Sequence, residues 1–291
     1  MGLGFRKVGI QWNSSKELGL EAALKLINVL RDRDIRISVN KSLSVAIDEP
    51  LLCDECGFSD CEMLIVLGGD GTILRACKKL YQLDIPVFGI NFGNMGYLTA
   101  CNPDTAIDCI GKVVRGEYKL ESRMMLQGEV IRNGEVAFSF VSLNEATLFR
   151  STLKKAFSSE IYINGMHTQT ILGDGVIVST PTGSTSYNFS AGGPILTPES
   201  NNMVITPISP MHFLHSSIVA GGDDTVEVKV NVSSLTKDAC ISLEIDGDCS
   251  FDIFDGDVLK IKRAEKTAKT IKVNDISFYQ ILKQKLSKVN E

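Results

Sequence analysis

Nowhere in the 291-residue chain do about 18 apolar residues run uninterrupted, the length a helix needs to cross a hydrocarbon layer. Nor does its start join a basic stretch to an apolar one, as an export signal does. No membrane partner is expected, and the expected compartment is the cytoplasm. Basic residues are short as well: 30 Lys and Arg against 35 Asp and Glu leave a formal charge of −5. A broad nucleic-acid surface needs an excess of Lys and Arg, so no nucleic-acid partner is expected. An anionic nucleotide needs only a local positive field. Histidine is rare, and His167, His212 and His215 are read as surface or packing residues. Cysteine is plentiful, but metal-type spacing is not. Cys53-x2-Cys56 followed by Cys61 has no second Cys or His pair at zinc-finger spacing behind it, and closed zinc sites take four ligands. A Cys-rich loop is the expected reading there, and most of the eight cysteines sit in apolar runs as small hydrophobes.

What is present is an α/β pattern followed by a β-rich one. Lys7–Trp12 reads as a strand, and Leu20, Ala23, Leu24, Ile27 and Leu30 then recur at helical spacing, predicting a helix over about 16–31. Met63–Leu67 and Pro86–Ile90 are continuous apolar runs of strand length, as in parallel sheets covered on both faces. Ile73, Ala76, Cys77 and Leu80 make one face of a helix between them. Asn102-Pro103 supplies a cap and a first-turn proline for a helix carrying Ile107, Ile110 and Val114. From about 119 the texture changes to β-prone segments at Met124–Ile131, Glu135–Val141, Glu160–Ile163, Val176–Ser179, Val226–Val232, Ile241–Ile245 and Val258–Ile261. Asn133-Gly134 and Asn164-Gly165 are hairpin turn dipeptides. The reading is an N-terminal Rossmann-like α/β domain over 1–118 and a β-rich, sandwich-like domain over 119–265. A C-terminal strand and helix over 266–291 then pack back, on which domain the sequence does not decide.

Gly68-Gly69-Asp70-Gly71-Thr72 turns from the Met63–Leu67 strand into the following helix. Glycines there let backbone N–H groups approach a phosphate, and the helix dipole adds to the attraction. Asp70 would repel an anionic ligand unless it accepts a proton, meets a sugar hydroxyl or shares a metal ion with the phosphates. All three alternatives point to phosphoryl transfer. No Gly-Lys-Ser/Thr follows and no Gly-x-Gly-x-x-Gly is present, so the P-loop and the dinucleotide fingerprint are set aside. The turn resembles the superfamily of NAD kinases, diacylglycerol and sphingosine kinases, and phosphofructokinases, without choosing among them.

Further segments choose. Asn91-Phe92-Gly93-Asn94-Met95-Gly96-Tyr97-Leu98 resembles the NAD kinase Gly-x-x-Gly-aromatic segment, and Leu143-Asn144-Glu145-Ala146 resembles its Asn-Glu pair. Gly173-Asp174-Gly175 through Thr180-Pro181-Thr182-Gly183-Ser184-Thr185-Ser186-Tyr187 to Ser190-Ala191-Gly192-Gly193-Pro194 is very similar to the longest signature of that family. Thr206-Pro207-Ile208-Ser209-Pro210 and Ile245-Asp246-Gly247 stand in the same order. The chain departs from the family at Ser186, where alanine is usual, at Tyr97, where phenylalanine is common, and at Leu172, where many members carry a basic residue. Met211-His212 and Ser216-Ser217 differ as well.

The resemblance implies an ATP-dependent kinase acting on the 2′-hydroxyl of the adenosine ribose of NAD, with Asp70 as general base. It places Gly68, Gly69, Gly71 and Thr72 near the ATP phosphates. It assigns NAD contacts to Asn144, Glu145, Asp174, Thr185, Ser186, Tyr187, Ser190 and Asp246, with Tyr97 at the aromatic position, and the hydroxyl of Thr182 is read as a further nucleotide-binding group. The side chains suit this: Asn144 can pair with an adenine edge, while Glu145 and Asp174 can accept from ribose hydroxyls or amide N–H groups. Asp246 reads equally well as a hairpin turn residue. No Lys/Arg cluster surrounds the glycine turn, so Mg²⁺ or a similar cation carried by the phosphates is expected. A homodimer or homotetramer is implied. Whether ATP, another nucleotide or polyphosphate is the donor stays open, and the competing readings are a lipid or sugar kinase using the same first turn, disfavoured by the long central signature, and a non-catalytic nucleotide sensor.

Overall fold

The computed structural model describes residues 5–14, 18–49, 58–92, 96–151, 156–211, 216–231 and 241–287. Cys53, Cys56, Cys240, His212, His215 and residues 93–95 lie outside them, as do the first residues of the helix expected from 16 and the last of the one expected at the C-terminus. The chain separates into two compact units, Met1–Ser122 with Ala268–Glu291, and Arg123–Thr267.

The first unit opens with β1 (Lys7–Trp12), α1 (Leu18–Arg31), β2 (Arg36–Val39) and the short α2 (Lys41–Ala46). It continues with β3 (Met63–Leu67), α3 (Asp70–Leu80), β4 (Val87–Ile90), α4 (Ala106–Val114) and β5 (Lys119–Arg123). All five residues of β3 are buried, which is why its sequence shows no alternation: helices cover both faces of a parallel sheet. β1 runs parallel to β2 on one side and to β3 on the other. α1 leads from β1 to β2 and α3 leads from β3 to β4, so the two connections leave in opposite directions. With right-handed crossovers, α1 and α3 fall on opposite faces. Ala23, Leu26, Ile27 and Leu30 of α1 share one core with Ile110 and Val113 of α4 and with Ile10, Ile65, Phe88 and Ile90 of the strands. α3 takes the other face, where a Cβ at Gly89 would lie 2.3 Å from Ile73 Cδ1.

The second unit is all but entirely strand. β6 (Leu126–Arg132), β7 (Glu135–Ser142), β8 (Glu145–Arg150), β9 (Phe157–Ile163), β10 (Met166–Gly173) and β11 (Gly175–Ser179) are followed by the single-turn α5 (Tyr187–Ser190). β12 (Asn202–Ile208), β13 (Ile218–Gly221), β14 (Val226–Asn231), β15 (Ile241–Ile245), β16 (Cys249–Ile253) and β17 (Val258–Arg263) complete it. They form two antiparallel sheets, β10-β9-β14-β17-β6-β7 and β13-β12-β11-β8-β15-β16. Val130, Ile161, Val228 and Ile261 of the first sheet share a core with Leu148, Val178, Ile205 and Leu243 of the second, so this unit is a β-sandwich. The turns Asn133-Gly134 (φ 53° and 83°) and Asn164-Gly165 (φ 52° and 76°) have both residues left-handed, the backbone a two-residue hairpin needs.

The chain then returns through β18 (Ala268–Lys272) and α6 (Phe278–Ser287) to the first unit. Its sheet reads β2-β1-β3-β4-β18-β5, with Thr270 paired parallel to Val87. α6 lays Phe278 against Tyr97 at a centroid distance of 5.7 Å and Lys285 over the same ring at 5.2 Å. The mixed α/β class, the antiparallel β-rich part and the C-terminal helix are those expected from the sequence. Among the described residues, no helix is long and apolar enough to cross a membrane.

Candidate active site

The reversal between β1 and β3 is a topological switch point, where open α/β sheets bind ligands beyond the carboxyl ends of their strands. The Gly68–Thr72 turn sits there. Gly68 donates from its N–H to Ile90 O at 3.0 Å, and Gly69 caps α3 in extended conformation (φ −85°, ψ −178°). Asn13, just past β1, donates through Nδ2 to Thr72 Oγ1 at 3.2 Å, and its N–H reaches Leu67 O at 3.1 Å, tying the two strand ends together. Two of the turn's three glycines differ in why they are small. A Cβ at Gly68 would lie 2.7 Å from Thr72 Oγ1, a protein packing constraint; a Cβ at Gly71 meets nothing within 4 Å. The described residues therefore give no steric reason for Gly71.

Asp70 begins α3, and its carboxylate accepts the N–H of Tyr97 at 3.0 Å (Oδ2) and of Leu98 at 3.2 Å (Oδ1). Gly96 is indispensable to this arrangement, since a Cβ there would fall 1.9 Å from Asp70 Oδ1. The segment is anchored in turn: Ala100 N–H donates to Gly89 O at 2.8 Å, and Lys272 of β18 donates to Thr99 O at 2.9 Å. Burial, and then the nearby Asp70 charge, push the Tyr97 phenol upward in pKa.

In the second unit, most of the expected residues meet where β8 starts and β11 ends. Glu145 pairs with Ser179 across that ladder, and the turn that follows Ser179 folds back over it. Thr180 donates through its N–H to Asn144 O at 2.8 Å and through Oγ1 to Leu143 O at 2.6 Å. Gly183 packs so closely that a Cβ would lie 2.2 Å from Asn144 O. Ser186 Oγ donates to Glu145 Oε1 at 3.1 Å. Asp246 stands in the β15–β16 hairpin with φ 53°, ahead of Gly247 at 70°. Its carboxylate accepts from Ser142 Oγ (2.7 Å) and from the N–H groups of Leu143 (3.1 Å), Asn144 (2.8 Å) and Glu145 (3.0 Å). Asp246 is thus both the turn residue and the anchor of the Asn-Glu pair.

Among the described residues, two polar atoms in this cluster are buried without a hydrogen-bond partner, Glu145 Oε2 and Thr182 Oγ1. Their residues are only 6% and 7% exposed. Buried polar atoms are normally satisfied, so the pair suits a ligand that donates and accepts. Burial, followed by the neighbouring Asp246 charge, raises the Glu145 carboxyl to about 8, against the Ser186 hydrogen bond that lowers it. Thr185 is half-buried and bonded to Thr182 O at 3.2 Å; Tyr187 and Ser190 are exposed on α5.

Asp174 is not part of this cluster. It precedes β11, whereas the Thr180–Tyr187 turn follows it, and five strand residues span about 17 Å. There Asp174 pairs with Arg150 at 2.7 Å, which brings a cation to it although position 172 holds leucine. Asn13, Gly96, Ser142, Thr180 and Asn188 belong to the local architecture and were not singled out from the sequence. Asn188 is fully buried, donating to Ser184 O and Pro194 O and accepting from Thr206 Oγ1 at 2.7 Å. The signal for Gly96 lay within the aromatic segment already noticed, and that for Asn13 in a polar residue closing an apolar strand. Among the described residues, no group of three or more His, Cys, Asp or Glu side chains is placed to hold a metal ion.

Comparison with known proteins bears on both units. The family described as "ATP-NAD kinase N-terminal domain" matches residues 8–118, and "ATP-NAD kinase C-terminal domain" matches residues 143–273. The chain is 40% identical over 228 residues to an NAD kinase of Lachnoclostridium phytofermentans, covering 78% of this chain and 80% of the relative. It is 34% identical over 285 residues to an NAD kinase of Natranaerobius thermophilus, covering 97% and 98%. Among solved structures, yeast NADH kinase complexed with NADH shares the fold with a TM-score of 0.86 at 21% identity, covering 98% of this chain and 88% of that one. An NAD kinase from Archaeoglobus fulgidus in complex with ATP does so with a TM-score of 0.72 at 22% identity, covering 98% of each. With family matches in both halves and relatives this similar along most of its length, the chain belongs to the NAD kinase family.

Proposed function

We infer that this chain is an NAD kinase that phosphorylates the 2′-hydroxyl of the adenosine ribose of NAD with ATP, giving NADP and ADP. The observation that carries the reaction is Asp70, an acceptor oriented by two backbone N–H groups at the start of a helix beyond a glycine turn. In this reading Asp70 takes the proton of the 2′-hydroxyl. The oxygen forms its bond to the γ-phosphorus as the bond to the leaving ADP oxygen breaks, so positioning and charge stabilisation do most of the work. The space beside Gly69 and Gly71 suits phosphates approaching the α3 N-terminus. A divalent cation such as Mg²⁺ enters as part of ATP and offsets the phosphate charge.

Recognition of NAD falls to the strand-end cluster. Asn144 and Thr182 offer neutral hydrogen-bonding groups, Glu145 offers a carboxyl with an unpartnered oxygen, and Ser186, Thr185 and Ser190 offer hydroxyls. The exposed Tyr187 offers a ring face. Asp174, ion-paired with Arg150 at the other end of β11, and Tyr97, beside Asp70 in the first unit, are proposed as further nucleotide contacts. We take the enzyme to work in the cytoplasm as a homodimer or homotetramer; the edge strands β10 and β13, with Met166 and Val219 exposed, suit contacts between copies. The test is phosphoryl transfer from ATP to NAD, diacylglycerol or fructose 6-phosphate by the purified protein. NADP formation with no product from the other two acceptors is the expected result, and transfer to either of them instead would overturn the reading.

A further inference from the structure

A groove of about 660 Å³ lies in the first unit between α1 and α4, within the size range of small-molecule sites. Glu21 and Lys25 of α1, Phe92 after β4, Asn102 and Asp104 ahead of α4, and Ile107 in its first turn line it. Phe92 directly follows Asn91, whose Oδ1 lies 4.0 Å from where a Cβ of Gly69 would stand. The groove therefore opens at the carboxyl ends of the parallel strands, next to the glycine turn. Its charge is wrong for phosphates. Glu21 and Asp104 are acidic, and Lys25 is already ion-paired with Glu21 at 2.7 Å. Acceptors beside an aromatic ring and an exposed isoleucine suit an aromatic base with N–H donors and a hydroxylated sugar.

We propose that this groove holds the nucleoside end of the phosphoryl donor, its base against Phe92 and Ile107, while the phosphates reach the Gly68–Thr72 turn. The choice of a nucleoside triphosphate as ligand rests on the NAD kinase reading. The groove then discriminates between donors: ATP uses it, and a polyphosphate, having no base, does not.

The experiment measures dissociation constants of ATP and of inorganic tripolyphosphate, each with Mg²⁺, by calorimetry for the wild type, Ile107→Trp and Phe92→Ala. Ile107 is 37% exposed, so its replacement fills the groove without disturbing the core and decides the matter if Phe92→Ala, partly buried, fails to fold. The expected result is ATP binding weakened about tenfold, with tripolyphosphate binding and the KM for NAD held within about twofold. Unchanged ATP binding in Ile107→Trp overturns the proposal, as does an equal loss of ATP and tripolyphosphate, which would place the effect at the turn. NADP formation by the wild type is read separately. If it fails while Ile107→Trp still loses ATP selectively, the groove stands and the kinase reading falls.

Discussion

Asp70 and Glu145 are both carboxyl groups at the ends of buried strands, yet the chain holds them in different ways. Asp70 is half-exposed and accepts two backbone N–H bonds from a segment 27 and 28 residues further on. Glu145 is buried, receives one hydroxyl from Ser186, and stands near Asp246, which absorbs four donors of its own. Backbone donors fix the orientation of one carboxyl; burial raises the pKa of the other to about 8. Under the proposed function, this raised pKa lets Glu145 donate a hydrogen bond to the dinucleotide at neutral pH, where an ionised carboxylate would only accept. In the proposed function one carboxyl serves the chemistry and the other recognition.

Substitutions can break this contrast. Asp70→Asn should lower kcat by about 10³-fold with NAD affinity retained, as measured by steady-state kinetics and calorimetry. Gly96→Ala should cost about 10² in kcat with Asp70 untouched, because its Cβ would displace the carboxylate; normal turnover would show that the N–H clamp does not set the position of Asp70. Asp246→Asn should raise the KM for NAD about tenfold and destabilise the second unit by about 2 kcal/mol in urea unfolding, since the amide cannot satisfy all four donors.

The Glu145 shift also has a sign in stability. Its folded pKa is raised from 4.5 to about 8, so between these values the folded state binds more protons than the unfolded. Stability from this group is full below about pH 4.5 and is lost as pH rises to about 8, on the order of 3–5 kcal/mol. The wild type should therefore weaken over that window relative to Glu145→Gln, as read from denaturant midpoints at pH 5 and pH 8.5. Equal slopes for the two proteins would contradict the burial account. The smallest effect is expected from Ser186→Ala, where the KM for NAD should change less than about threefold and the Glu145 pKa should rise further.

Where one physical signal dominated, the sequence was legible. β1, β3 and β15 fall on Lys7–Trp12, Met63–Leu67 and Ile241–Ile245 as read from their apolar runs, and both Asn-Gly dipeptides form hairpin turns. Elements stabilised by tertiary pairing were not. β2 is four residues at a sheet edge, and β8 hid behind the Asn-Glu motif that opens it. β12 contains Pro207, which normally argues against a strand, but that proline lies beyond the last residue paired with β13, Ile205 opposite Ile218. At the site, the glycine turn and Asp70 were visible as a contiguous motif. Gly96 as the neighbour of Asp70, and Asp246 as anchor of Asn144 and Glu145, depend on contacts 26 and about 100 residues apart, which spacing alone does not encode. Asp174 shows the converse: close in sequence to the Thr180–Tyr187 turn, it is separated from it by the length of β11.

The most direct test of the account is NADP formation from NAD and ATP with Mg²⁺, comparing the wild type with Asp70→Asn under saturating substrates. The account expects robust turnover in the wild type and a loss of about 10³-fold in the variant with NAD binding intact. A folded variant that turns over within tenfold of wild type would contradict the assignment of Asp70 as the base.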